Sequence, residues 1–111
     1  MENLYLIKLS DENESFYKIG TTVHKYCRFY EIMKHGYDVE IIYMLFNLEF
    51  YKALEAESYL QSIFQSYTPL KKFGGYTECF LHININTYKS EIHKIFDSYS
   101  KNIENLPITW R

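Results

Sequence analysis

The 111 residues carry 12 Lys or Arg against 14 Asp or Glu, a net charge of −2, with 47% apolar and 19% aromatic residues. That composition excludes a disordered chain, and it excludes a global electrostatic pull toward nucleic acid, so any such binding needs a local basic patch. The length allows one domain with a single core, expected to span residues 1–111. No apolar run reaches the length of a membrane span. No secretory apolar region opens the chain, so Cys27 and Cys79 read as reduced thiols of a cytoplasmic protein. His24, His35, His82 and His93 are scattered, and none pairs with a cysteine at a metal-binding interval, which argues against zinc.

In chain order, the apolar run "NLYLIKL" (Asn3 to Leu9) is bounded by the polar "SDENES" and predicts a strand. "SFYKIG" (Ser15 to Gly20) predicts a second strand, forming a hairpin with the first. A turn centred between Asp11 and Glu12 would set Leu9 opposite Glu14 and Tyr5 opposite Lys18, making Tyr5 and Lys18 neighbours on one face. Thr21 and Thr22 offer a helix N-cap, and Val23 to Lys34 is expected as a helix ending before Gly36. "DVEIIYMLF" (Asp38 to Phe46) is rich in β-branched and aromatic residues and predicts a third strand. A long helix follows from about Glu49 to Tyr67 and stops before Pro69. After the loop "PLKKFGGY", "TECFLHI" (Thr77 to Ile83) predicts a fourth strand. A last helix, from about Thr87 to Lys101, precedes the tail "NIENLPITWR". The expected fold is α+β: a small, central, mainly antiparallel sheet flanked by helices, in the order β-β-α-β-α-β-α.

The long helix holds one misfit. At 100° per residue, Ala53, Ala56, Leu60, Ile63, Phe64 and Tyr67 gather on one stripe. Glu57 follows Ala53 by four residues and precedes Leu60 by three, so it falls on the edge of that stripe, while Glu55 points to the solvated side. A carboxylate near a core must be paired, hydrogen-bonded, protonated or bound to metal. Periodicity alone favours a rim carboxylate that pairs with a cation.

Five short motifs change the weighting. They are "NLY" (Asn3, Leu4, Tyr5), "KIG" (Lys18, Ile19, Gly20), Arg28 eight positions later, "ESYLQSIF" led by Glu57, and "GGYTECF" with Glu78 and Phe80. In this order and spacing the chain resembles the GIY-YIG nuclease superfamily, in its phage-type branch with a KIG second motif. The resemblance covers about residues 3–83. Asn3 and Leu4 stand where the family has Gly-Ile, Lys18 where it has the second tyrosine, and Ile32 where some members have histidine.

The resemblance implies a metal-dependent endonuclease that hydrolyses DNA phosphodiester bonds, with one Mg²⁺ or Mn²⁺ held by Glu57 and several waters. Tyr5 would contact the attacking water. Its ordinary pKa of about 10 makes cationic neighbours necessary, and Lys18 is placed to supply one. Arg28 would neutralise charge growing on the phosphoryl oxygens. Tyr17, His24 and Glu78 are auxiliary candidates, with Tyr17 expected on the opposite sheet face and Glu78 near the site or paired with Lys71 or Lys72. Lys25, Lys34, Lys71 and Lys72 are the candidate basic patch for nucleic acid. A homodimer or protein partner would supply specificity, and a phage-encoded protein would work in the host cytoplasm. Two other readings stay open: a non-catalytic nucleic-acid-binding relic of the fold, supported by the acidic balance and the altered second motif, and a protein-interaction module, supported by the aromatic excess and Trp110.

Overall fold

The computed structural model describes residues 1–24, 26–96 and 102–108. Lys25, the expected end of the last helix at Lys101, and Trp110 lie outside the described residues. The elements run β1 (Glu2–Ser10), β2 (Ser15–Thr22), α1 (Cys27–Met33), β3 (Asp38–Leu48), α2 (Phe50–Ser62), β4 (Cys79–Phe80), α3 (Ile85–Ile95) and β5 (Asn102–Ile108). The strands form one antiparallel sheet in the order β4-β2-β1-β3-β5. The α+β expectation holds, with one strand more than the sequence suggested.

Side-chain alternation along β1 divides the interior in two. Leu4 and Leu6 join Ala53, Ala56 and Leu60 of α2 and Tyr88 and Ile92 of α3 on one face. Tyr5, Ile7 and Leu9 join Phe29 and Ile32 of α1, with Phe73 from the loop before β4, on the other. The sheet is therefore covered on both sides, which is why Ile41 through Phe46 of β3 are buried without alternation. Among the described residues, no helix is long and apolar enough to cross a membrane.

The hairpin register differs from expectation by two residues: Tyr5 lies opposite Gly20, Ile7 opposite Lys18 and Leu9 opposite Phe16. The cause is a turn centred one residue later, between Glu12 and Asn13. The Asp11 amide donates to the Glu14 carbonyl at 3.0 Å, and the Asp11 carboxylate accepts the Asn13 and Glu14 amides at 2.8 and 3.0 Å. These bonds, with the Lys71 ammonium alongside, hold the Asp11 carboxyl below its usual range. An even offset preserves the sheet face. Tyr5 and Lys18 thus remain on one side, as diagonal rather than direct neighbours.

Other boundaries shift for similar local reasons. Thr21 and Thr22 do not cap a helix; they continue the ladder opposite Leu4 and Asn3, so α1 begins at Cys27 instead of Val23. β3 runs two residues past Phe46, to Leu48. The β1–β3 register slips between Glu2 and Leu4, where Asn47 adopts φ 61°, and the Asn3 side chain accepts the Asn47 amide there at 3.2 Å. Asparagine tolerates that left-handed conformation better than most residues. α2 stops at Ser62, five residues short of Tyr67, because the chain then runs extended beside β4: Ser66 bridges Phe80, and the Tyr67 amide donates to the Cys79 carbonyl at 2.8 Å. β4 itself keeps only two of the seven expected residues, Thr77 to Ile83. α3 starts at Ile85, capped by the Asn84 side chain, which accepts the Thr87 amide at 3.1 Å. The tail, which carried no predicted element, supplies β5, an edge strand that tolerates Pro107.

Candidate active site

Tyr5 and Lys18, brought together by the hairpin, form the centre of the candidate site. The Lys18 ammonium donates to the Tyr5 hydroxyl at 2.7 Å, and both residues are almost completely buried. The Tyr5 ring is held edge-on by Phe29, 5.0 Å between centroids. Glu78 approaches the Lys18 amine at 3.7 Å, so it meets Lys18 and not Lys71 or Lys72. Two glycines make room for this arrangement. A Cβ on Gly20 would lie 2.4 Å from the Tyr5 hydroxyl and 2.9 Å from the Lys18 amine. A Cβ on Gly75, whose φ of +85° also favours glycine, would lie 2.7 Å from Lys18 Cε. The KIG glycine is thus a packing requirement of the Tyr5–Lys18 pair.

Glu57 reaches the same region from α2. β4 pairs only with Tyr17 and Lys18, so the outer edge of β2 beyond them is met by side chains of α2. Gln61, one turn after Glu57, donates to the Ile19 carbonyl at 2.8 Å. The Gln61 amide also reaches Glu78 at 3.1 Å, closing a chain from Tyr5 through Lys18 and Glu78 to α2. Glu57 is half-buried, and its pKa is raised, first by desolvation and then by the neighbouring Glu78 charge; Lys18 and the Thr21 amide oppose the shift, and Glu2 adds to it. Glu55 is exposed, as the helical geometry predicts.

Arg28 does not join this chain of contacts. It is half-buried and lines a cleft of about 510 Å³ with Glu2, Thr21, Thr22, Val23, His24, Cys27 and Glu31. Thr21 lines the cleft with Arg28, and its amide favours the charged form of Glu57. His24 is exposed at the same cleft. Tyr17 packs with Leu4, Leu6 and Ile19 on the α2 face, opposite Tyr5, as expected.

The basic patch fares less well. Lys71 is tied into the fold by Asp11 at 3.0 Å and the His35 carbonyl at 2.8 Å, above the Tyr37 ring, so its charge serves the loop. Lys72 is exposed beside the Tyr76 ring, and Lys34 is exposed at the end of α1. Sequence reasoning assigned no role to Gln61, although its place one turn after Glu57 gave a usable signal. It passed over Glu2 altogether; nothing in an acidic residue at the start of an apolar strand announces burial.

A larger groove, about 640 Å³, lies between α2 and α3 and includes Glu55. Within it Glu91 accepts from Tyr59 and pairs with Lys94, and Lys52 lies over the Phe96 ring. Among the described residues, no group of three or more His, Cys, Asp or Glu is arranged to hold a metal. The oxygen donors around Glu57 nevertheless suit a hard divalent cation that keeps much of its water. Burial raises the Glu57 pKa first and the neighbouring Glu78 charge second, and a cation there would relieve the second. Compared with protein-family models, with curated proteins and with solved structures, the chain matches none of them.

Proposed function

We propose that this chain is a metal-dependent endonuclease of GIY-YIG type acting on DNA, with Glu57 as its metal-binding carboxylate. The observation that carries the reading is the chain of contacts Tyr5–Lys18–Glu78–Gln61, which brings α2, and Glu57 one turn before Gln61, to the Tyr5–Lys18 pair. A bound Mg²⁺ or Mn²⁺ would supply Lewis-acid stabilisation of a phosphoryl oxygen. Arg28, a permanent cation in the cleft, would take the charge growing on the other oxygens. His24, exposed at that cleft, is placed to pass a proton to the leaving oxygen. Lys18 fixes the Tyr5 hydroxyl, the group that would orient the attacking water. Of the candidate patch, Lys34 and Lys72 are exposed among the described residues and would contact a DNA backbone, and a second copy or a partner would add the rest of the substrate grip. A cytoplasmic, phage-encoded setting accompanies this reading.

One observation favours a second reading, a nucleic-acid-binding relic without catalysis: Tyr5 and Lys18 are buried to 0% and 1% exposure. The experiment that separates them incubates the protein with plasmid and single-stranded DNA in Mg²⁺, Mn²⁺ or EDTA, beside Glu57→Ala and Glu55→Ala. Metal-dependent cleavage lost only in Glu57→Ala supports the nuclease. Equal activity in both variants removes Glu57 from the site. Salt-sensitive binding without cleavage supports the relic.

A further inference from the structure

Glu2 stands outside every role described so far. It is only 6% exposed, and its Oε2 is buried and meets no hydrogen-bond donor among the described residues. Its backbone pairs with Leu48 of β3, so it belongs to the sheet and is no fraying terminus. A carboxylate taken out of water without a partner is costly, and its remedy is a donor or a cation. Glu2 lines the 510 Å³ cleft, where Arg28 is the permanent cation of the lining, yet among the described residues no ion pair joins the two.

The cleft has fixed walls. The Asn3 side chain donates to the Val23 carbonyl at 3.4 Å, and the Thr22 hydroxyl donates to the His24 carbonyl at 2.7 Å. These bonds hold the segment that follows β2, where Val23 is 65% exposed and also lines the cleft. The lining therefore offers a buried acceptor, a positive charge and an apolar surface. A ligand that suits all three presents N–H donors at one end, a flat ring between, and an anion at the other. The volume is in the range of small-molecule sites and exceeds what a lone phosphate fills.

We infer that this cleft is a nucleotide subsite selective for guanine, in which Glu2 accepts from the base and Arg28 pairs with its phosphate. Of the four DNA bases, guanine alone sets two donors, N1–H and N2–H, side by side for the two oxygens of one carboxylate. Adenine and cytosine place a ring acceptor beside their amino group, and thymine flanks its single N–H with carbonyls; a carboxylate is repelled by both. The planar guanidinium of Arg28 suits a phosphate. Exposed Glu31 lines the cleft as well, which favours a ligand with one phosphate over one with several. The Watson–Crick edge is free only in an unpaired base, so single-stranded or opened DNA is the form this subsite takes. The inference rests on the nucleic-acid reading above and names the base selected beside the phosphate.

The test titrates the full chain in EDTA with GMP, IMP, AMP and inorganic phosphate, following backbone amides by heteronuclear NMR. GMP should shift the amides of Thr21, Val23 and Arg28. IMP, which lacks only the N2 amino group, should bind about tenfold more weakly, and AMP no better than IMP. Glu2→Gln should bind GMP and IMP alike, because its amide accepts at one atom only, while its affinity for inorganic phosphate stays that of the wild type. Arg28→Gln should weaken GMP and phosphate together, and Glu55→Gln should change neither. A wild type that binds GMP and IMP equally, binds neither, or shifts only at another face overturns the inference, and these comparisons need no variant. A Glu2→Gln protein that keeps the preference for GMP overturns it too. Cleavage of DNA is scored separately. Cleavage by a wild type that ignores GMP overturns the inference and leaves the nuclease standing, whereas GMP selectivity without cleavage supports the inference and removes the catalytic reading.

Discussion

Replacing Gly20 with alanine places a methyl group where the Tyr5 hydroxyl, its ring carbon and the Lys18 amine lie, at 2.4, 2.6 and 2.9 Å. Ordinary carbon contacts need about 3.5 Å or more, so the ring must retreat by roughly an ångström. Phe29 blocks one direction, and the ring is fully buried among Ile7, Met44 and their neighbours. The remaining escape swings the phenol off Lys18, breaking the 2.7 Å bond and leaving the buried amine with Glu78 at 3.7 Å. Overpacking of about 1–3 kcal/mol and loss of a charge-assisted hydrogen bond worth about 1.5–3 kcal/mol together predict about 3–5 kcal/mol. That is a large share of the stability of a small domain, and at about 4 °C per kcal/mol it lowers the melting point by 12 °C or more. Urea denaturation reads the loss directly. Gly74→Ala is the control, since a methyl there meets nothing within 4 Å. Adding Tyr5→Leu to Gly20→Ala should recover part of the loss, as residues in contact are coupled. A Gly20→Ala protein within about 0.5 kcal/mol of Gly74→Ala, the scatter of neutral changes, would refute the packing of Tyr5 and Lys18 over this backbone.

Three further outcomes are expected. Because the native Glu57 pKa lies above the ordinary 4.5, the folded chain holds this proton more tightly than the unfolded one. The stabilisation is full below pH 4.5 and disappears as pH rises through the native value, so Glu57→Gln should gain on the wild type from pH 4.5 toward neutrality in EDTA. A pH-independent difference in denaturation midpoint counts against it. Glu14 accepts from the Tyr37 and Tyr67 hydroxyls and from the Leu70 amide, tying the hairpin turn to the loop before β4. Glu14→Ala should cost about 2–4 kcal/mol, since it strands these donors. Glu14→Gln should bring the Tyr67 titration, pushed up to about 12 chiefly by the Glu14 hydrogen bond, back toward 10, as followed by phenolate absorbance. Finally, exposed Cys27 should take an alkylating label in the native protein, while Cys79, buried and pushed up to about 12, should label only after unfolding. Mass spectrometry finding two labels on the native chain would contradict that burial.

What could be read in the sequence was set by local pattern. The apolar run "NLYLIKL", bounded by polar residues, and the β-branched run from Asp38 identify β1 and β3, and the helical stripe separates Glu57 from Glu55. What could not be read was set by partners distant in the chain. Thr21 and Thr22 look like caps until β1 claims their backbone. The four residues after Ile63 look helical until Phe80 and Cys79 bind Ser66 and Tyr67. "NIENLPI" has no strong strand pattern of its own and becomes β5 only because β3 leaves an edge to pair with. The Tyr5–Lys18 contact survived a wrong register because the error was even; an odd one would have put Lys18 on the α2 face.

The two-residue β4 bears on how the chain keeps to itself. An unpaired strand edge is a template for a second chain, and β2 has one beyond Lys18. One helical turn, about 6.0 Å for four residues, nearly matches two strand residues at about 6.7 Å. Gln61 can therefore occupy the Ile19 carbonyl with Glu57 set one turn back toward Thr21, and α2 serves as a surrogate strand. In the proposed reading a cation bound by Glu57 would loosen that guard, so one side chain would serve both metal binding and resistance to strand-to-strand association.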